Sequence, residues 1–335
     1  MSLLRAFPEQ NDFWRIDAVR STPAFKEWQH FVVFTKGLDL LVNFNVEERA
    51  GGERIARVIL MGRTDTWHGV LDTVPVEISK DARRARFGAA RLDIADGGYH
   101  VSLDWPSRRV AIRLAFHPVA MPIYTADRPP GGRRLYWALV ARANAFGTVR
   151  LGDRTFELAN ALAYHDHNWG SFAWGDDLAW EWGSILPEDV SSPYACVYNR
   201  VTNRARTVAH SQHLFVWREA RNVLAAQRSE LRVTQHGRLE VDARPFRLPA
   251  GMALIDSRRD VDLPERLEIE AGVGHDAVDV RFRTEATARI LVPSEVDPLG
   301  KVVIHECVGD ALVRGTIGSE PFSFGGRGVF ELLRS

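Results

Sequence analysis

Period two dominates the chain. In YHVSLDW, Tyr99, Val101, Leu103 and Trp105 alternate with His100, Ser102 and Asp104. Past the turn residues PSRR, Val110, Ile112, Leu114 and Phe116 alternate with Ala111, Arg113 and Ala115. Alternation puts one set of side chains on each face of a strand, so this pair predicts a hairpin. The same spacing recurs at Leu40, Val42, Phe44 and Val46, at Leu267, Ile269 and Ala271, and at Val278, Val280 and Phe282. TKG, DGG and LGD separate such runs, each offering a residue able to take a positive φ. An all-β protein of many antiparallel strands follows.

Helical spacing is scarce. Thr22-Pro23 ahead of AFKEWQ has the form of an N-cap followed by proline at the first helical position, which predicts a short helix near residues 23–30. WREARNVLAAQRSELR, from Trp217, fits either a second helix or two strands joined by a turn. Residues 126–134 are centred on Pro-Pro-Gly-Gly. Proline donates no ladder hydrogen bond and glycine weakens a strand, so this is a loop, either a plain connection or a flap over a pocket. At 187–193 two prolines bracket acidic and small polar residues, which marks an inter-domain linker. The expected organisation is one β domain over 1–190 and a second over 191–335.

Composition narrows the functional classes. A chain of 335 residues accommodates two domains of ordinary size. Basic and acidic residues balance at 43 each, so no net field gathers phosphate, and nucleic acid is not an expected partner. Arg83, Arg84 and Arg86 read as a solvated hairpin tip. Cys196 and Cys307 are too few for a disulfide scaffold or a zinc ribbon. MSLLRAFPEQNDFW, broken by Arg5 and Pro8, lacks a signal-peptide core, and no window has the apolar length of a membrane span. The expectation is a soluble, cytoplasmic protein. A phosphate loop, a dinucleotide fingerprint and a Gly-x-Ser-x-Gly elbow are all missing from the sequence.

The chemistry-bearing stretch is YHDHNWG, residues 164–170. If Ala161 to Trp169 is a regular strand, Tyr164, Asp166 and Asn168 share one face and His165, His167 and Trp169 the other. A His-x-His pair on one face can bind zinc, but only with a further protein ligand, for which His210 and His213 are the candidates. The alternative is that the histidines hydrogen-bond at a rim or pack in the core. An aspartate turned into an apolar interior would be desolvated, which raises its pKa and lets it serve as an acid. Otherwise Asp166 only caps a turn or pairs with an arginine. Trp137, Trp169, Trp174, Trp180 and Trp182 are candidates for the walls of a site, although tryptophan clusters usually mean core. Their π faces can stabilise a cation.

LYWALVARANAFGTVRLGDRTFELANALAYHDHNWG resembles the carotenoid 1,2-hydratase (hydroxyneurosporene synthase) family and its lipocalin-like hydratase and cyclase relatives. The likeness rests on an aromatic-rich strand, Ala-Arg, a Gly-Thr-Val turn and the tyrosine, aspartate, asparagine, tryptophan, glycine series. It covers about residues 135–185, and GTIGSEPFSFGGRGVFELL is similar to the family's closing strands. The resemblance implies two packed lipocalin-like antiparallel β-barrel domains with few short helices. It also implies addition of water to a terminal isoprenoid double bond without a redox cofactor, Asp166 giving the proton and Tyr164 assisting.

Three functions are therefore in view. One is a cofactor-independent lyase that protonates an alkene of a hydrophobic isoprenoid or polyene molecule. A second is a pericyclic cyclase of the same architecture, working by confinement. The third is a non-catalytic lipophile carrier. All take a hydrophobic small molecule as partner, which leaves room for transient membrane contact, and no feature of the sequence sets an oligomeric state.

Overall fold

The computed structural model describes residues 12–17, 24–48, 52–127, 133–172, 178–239, 255–256, 263–293, 295 and 301–334. The chain forms two compact units: residues 1–126 with 132–172, and residues 127–131 with 173–335. Unit 1 begins with four strands, β1 (Phe25–Thr35), β2 (Leu38–Glu48), β3 (Arg54–Arg63) and β4 (Trp67–Val74). Shorter ones follow: β5 (Val76–Ile78), β6 (Arg84–Phe87), β7 (Ala90–Ala95), β8 (Gly98–Trp105), β9 (Val110–Pro118) and β10 (Ile123–Asp127). Two long strands end it, β11 (Arg134–Leu151) and β12 (Arg154–Ser171). They pair in the order β4-β3-β2-β1-β12-β11-β9-β8-β7-β6-β5, with β10 alongside β11. First strand pairs with last, and the sheet curls into a nearly closed barrel.

Unit 2 comprises β13 (Leu178–Pro187), β14 (Tyr194–Asn203), β15 (Ala209–Arg218), β16 (Arg221–Gln227), β17 (Leu231–His236) and the two-residue β18 (Ile255–Asp256). It closes with β19 (Arg266–Val273), β20 (Asp276–Pro293), β21 (Lys301–Ile317) and β22 (Glu320–Arg334). The order is β16-β15-β14-β13-β22-β21-β20-β19-β17, with β18 on β20. Again the first strand of the unit lies beside its last. This is an all-β, lipocalin-like architecture.

Period two predicts the strands well. Tyr99, Val101, Leu103 and Trp105 of β8 and Val110, Ile112, Leu114 and Phe116 of β9 are all buried, and the turn between them is a 3-10 turn over Pro106–Arg108. Gly37 and Gly97 take the positive φ their turns require, 78° and 72°.

Two expectations change, and the one left open at Trp217 is resolved. The helix near 23–30 is not formed: Thr22 and Pro23 lie outside the described residues, and Phe25–Thr35 is strand β1. β1 is flanked by β2 and β12 and nearly every residue in it is buried, so ladder pairing and two-sided burial override a local helix signal. The segment from Trp217 is strand, turn, strand, with a 3-10 turn over Arg228–Glu230 leading into β17. Pro187–Pro193 is the turn of the β13–β14 hairpin, and the chain passes between units at residues 172 and 173. The centre of the 126–134 loop, residues 128–132, lies outside the described residues.

Candidate functional site

β12 carries YHDHNWG as regular strand. Asn160 takes a left-handed φ of 76° at a register shift, and from Ala161 onward the alternation is unbroken. On the two neighbouring strands, His165 faces Phe31 and Val140, Asp166 faces His30 and Leu139, His167 faces Gln29 and Ala138, and Asn168 faces Trp28 and Trp137.

The histidine face is the one that looks into the barrel. Phe31 meets Tyr99 of β8 and Phe116 of β9, strands several places away in the sheet, with ring centroids 5.5 and 4.7 Å apart. His165 stacks on Phe31 at 4.4 Å. Asp166 therefore turns away from the barrel interior, which receives the histidines.

Inside, the polar groups form one buried network. Asp12 places Oδ2 3.1 Å from His165 Nε2 and Oδ1 2.8 Å from His167 Nδ1, and it accepts a bond from the Tyr99 hydroxyl. His167 Nε2 lies 2.8 Å from Glu27 Oε1. The Glu27 carboxylate also accepts the backbone N–H groups of Arg15 and Ile16 at 2.8–2.9 Å. Burial opposes charge on His167, but hydrogen bonds to Asp12 and Glu27 and their negative charge outweigh it and push its pKa up to about 9. Burial likewise opposes ionisation of Asp12, yet the two histidines hold it far below the usual carboxylate range. The network ties residues 12–16 to the barrel. Since the His-x-His pair is already engaged by carboxylates and by the His30 carbonyl, the metal reading finds no support. Among the described residues no group of three or more His, Cys, Asp and Glu side chains is arranged to hold an ion, and His210 and His213 belong to β15 of unit 2.

Asp166 is on the opposite face and is 1 % exposed. The Tyr164 hydroxyl donates to Asp166 Oδ2 at 2.8 Å, and Asn168 Nδ2 donates to Oδ1. Asn168 is fully buried, and its Oδ1 has no hydrogen-bond partner among the described residues. Trp28 and Trp137 flank Asn168 on the two adjacent strands, both buried. His30, directly across from Asp166, is held neutral by burial and by the nearby charge of His165, with a pKa of about 3. Lys26 lies on the same face and donates to the Phe172 carbonyl at 2.8 Å, and Phe172 packs edge-on to Trp28.

The sequence therefore puts Tyr164, Asp166 and Asn168 on one face, as the structure does; Trp137, a wall candidate only, joins that face through its pairing with Asn168, and the sequence misses Trp28 and His30. The signal was present in FKEWQHFVVF, where Trp28 and His30 share one parity and Glu27 and Gln29 the other. Trp169 belongs to the opposite face, stacked on Tyr136 at 5.4 Å with the Arg15 guanidinium 4.2 Å from its ring. Trp174 lies outside the described residues. Trp180 and Trp182 share a face of β13, in unit 2, with Glu181 turned the other way toward Tyr198 and Arg200. Cys196 and Cys307 are free thiols buried in the same apolar core of unit 2.

No protein-family model matches the chain, and no curated protein sequence matches it. Solved structures do. CghA, determined with Sch210972, superposes with a TM-score of 0.64 at 15 % identity, covering 93 % of this chain and 88 % of that one. An AttH-type protein from Nitrosomonas europaea gives 0.59 at 11 % identity, over 99 % and 96 % of the two chains. Kievitone hydratase from Nectria haematococca gives 0.55 at 12 % identity, over 94 % and 91 %. These likenesses are of fold across nearly the whole chain. They agree with the resemblance to lipocalin-like hydratase and cyclase proteins read from YHDHNWG and its flanks. No helix among the described residues is long and apolar enough to cross a membrane.

Proposed function

We propose that this protein is a hydratase-type lyase, working without a redox cofactor or metal, in which Asp166 protonates an alkene of a hydrophobic isoprenoid or polyene molecule. The observation that carries the reading is the buried Asp166–Asn168 pair, with an acceptor, Asn168 Oδ1, left over beside the acid. In the proposed cycle Asp166 enters protonated and gives its proton to one alkene carbon, leaving a tertiary cation at the other. The faces of Trp28 and Trp137 stabilise that charge. A water held by Asn168 Oδ1 adds to the cation, and the proton it sheds returns to Asp166. Alkene plus water becomes alcohol, and the acid is regenerated. Tyr164 holds the carboxyl in place. Kievitone hydratase, which shares the fold, lends this reading weight. Free buried thiols agree with a cytoplasmic location.

A second reading is a cyclase that folds a flexible substrate against Trp28 and Trp137. It is favoured by the fact that both Asp166 oxygens already accept hydrogen bonds, an arrangement suited to a fixed acceptor. Incubating the protein with lycopene or squalene and following water-added products by mass spectrometry tests the first reading. Asp166→Asn, close in shape, is expected to lose about 10²-fold or more of that turnover. Full activity in this variant would remove Asp166 from the chemistry.

A further inference from the structure

A second polar site stands on unit 2, on the face of β13 that carries Trp180 and Trp182. One residue from each of five adjacent strands forms a row: His213, Asn199, Trp182, Glu331 and Glu306. At one end two carboxyl groups stand directly opposite each other across the β21–β22 ladder. Like charges in that position repel, and the repulsion grows when water is excluded. Glu306 is 2 % exposed and hydrogen-bonds Glu331, and such a bond between two carboxyls needs one proton. Burial raises Glu331 above its ordinary range, while hydrogen bonds from Glu306 and Trp180 only partly offset the rise. Trp180 Nε1 donates to Glu331 Oε1.

The rest of the row supplies an independent sign of a ligand. Asn199 is fully buried and its Oδ1 is 3.0 Å from His213 Nδ1, yet its Nδ2 has no hydrogen-bond partner among the described residues. Ser184, the next residue after Trp182 on that face, is also fully buried, and its Oγ is likewise without a partner among them. Leaving buried donors unpaired costs about 1–3 kcal/mol each. The donors flank the indole of Trp182, between the carboxyl pair and the apolar Val197 and Val329. Glu331 is partly exposed, which leaves an approach from solvent.

We propose that Glu306, Glu331, Asn199 and Ser184 form a binding centre for a neutral oxygen-bearing group, a carbonyl or hydroxyl, on a hydrophobic small molecule laid against Trp182. The carboxyl pair holds one proton, which turns from the Glu306–Glu331 bond to the ligand oxygen when the ligand binds, while Asn199 Nδ2 and the Ser184 hydroxyl supply the other hydrogen bonds. Such a centre implies a substrate or product that is already oxygenated at one end.

The test uses β-ionone, an isoprenoid enone, and the hydrocarbon of the same skeleton whose carbonyl is replaced by a methylene group, with binding to the full chain read by equilibrium dialysis. The wild-type protein is expected to prefer the enone by about tenfold beyond the partition of the two probes between water and detergent. Glu306→Gln leaves Glu331 with donors on both sides and no proton to offer, so that preference should vanish. Should Glu306→Gln not fold, Ser184→Ala serves instead, since an unpartnered hydroxyl contributes nothing to folding. It is expected to lower the preference about threefold. No preference in the wild type, or a preference unchanged in whichever of these two variants folds, overturns the proposal.

Discussion

Asp166 and His167, joined by a single peptide bond, project from opposite faces of β12 into two separate buried settings. His167 is clamped in the barrel interior between Asp12 and Glu27, each 2.8 Å away. Asp166 is gripped on the other side by Tyr164 and Asn168. The strand thus carries a charged structural network on one face and the candidate acid on the other.

The interior network makes stability depend on pH in a defined direction. His167 has a folded pKa of about 9 against an ordinary 6.5, so its contribution is complete below pH 6.5 and is lost as pH rises through about 9. His30 has the opposite sign: with a folded pKa of about 3 it is buried uncharged, and stability falls as pH drops from 6.5 toward 3. Thermal unfolding of the full chain should show a maximum near neutral pH. In His167→Gln the midpoint should be lower, and its decline between pH 6.5 and 9 shallower by the linkage of one proton.

Asn168→Ala removes both the donor to Asp166 and the unpartnered acceptor beside it. Turnover should fall about 10²-fold, with stability changed by no more than about 2 kcal/mol, because one satisfied bond and one unsatisfied atom go together. Parallel measurement of kcat and the unfolding midpoint decides it. An activity loss fully explained by unfolding would reduce Asn168 to a structural role.

The last residue of YHDHNWG has a steric reason. A Cβ on Gly170 would run into the Arg134 carbonyl of the neighbouring strand, which is backbone and cannot swing aside. Gly170→Ala should destabilise the protein by about 1–3 kcal/mol, read by chemical denaturation, and loosen the β11–β12 pairing at the site. A midpoint equal to wild type would show that the ladder there yields easily.

Trp137→Ala separates the two catalytic readings. In the acid mechanism it costs cation stabilisation, about tenfold in rate, and less than the loss in Asp166→Asn. In the confinement reading the order of the two effects reverses. Rates for both variants on one substrate settle the ranking.

Much of this was legible beforehand. Strand faces in β8, β9 and β12 followed from period two, and so did the split between Asp166 and the two histidines. What the sequence concealed was which face of β12 lines the barrel. That depends on strands far apart in the chain, such as β1 meeting β8 and β9 through Phe31. Glu27 and Gln29 disguised β1, because polar side chains pointing inward break the expected pattern of apolar in, polar out. Asp12 could not be assigned either, since its partners His165 and His167 are more than 150 residues away. The change of unit at residues 172–173 carries no proline, whereas Pro187–Pro193 carries two and is only a hairpin turn.

The central claim is proton transfer from Asp166 to an alkene carbon, and solvent isotope incorporation tests it most directly. With turnover run in deuterium oxide, the hydrated product should carry one deuterium on the carbon adjacent to the new C–O bond, and Asp166→Asn should form it about 10²-fold more slowly or slower still. A product without carbon-bound deuterium, or one formed as fast by Asp166→Asn as by wild type, would contradict it.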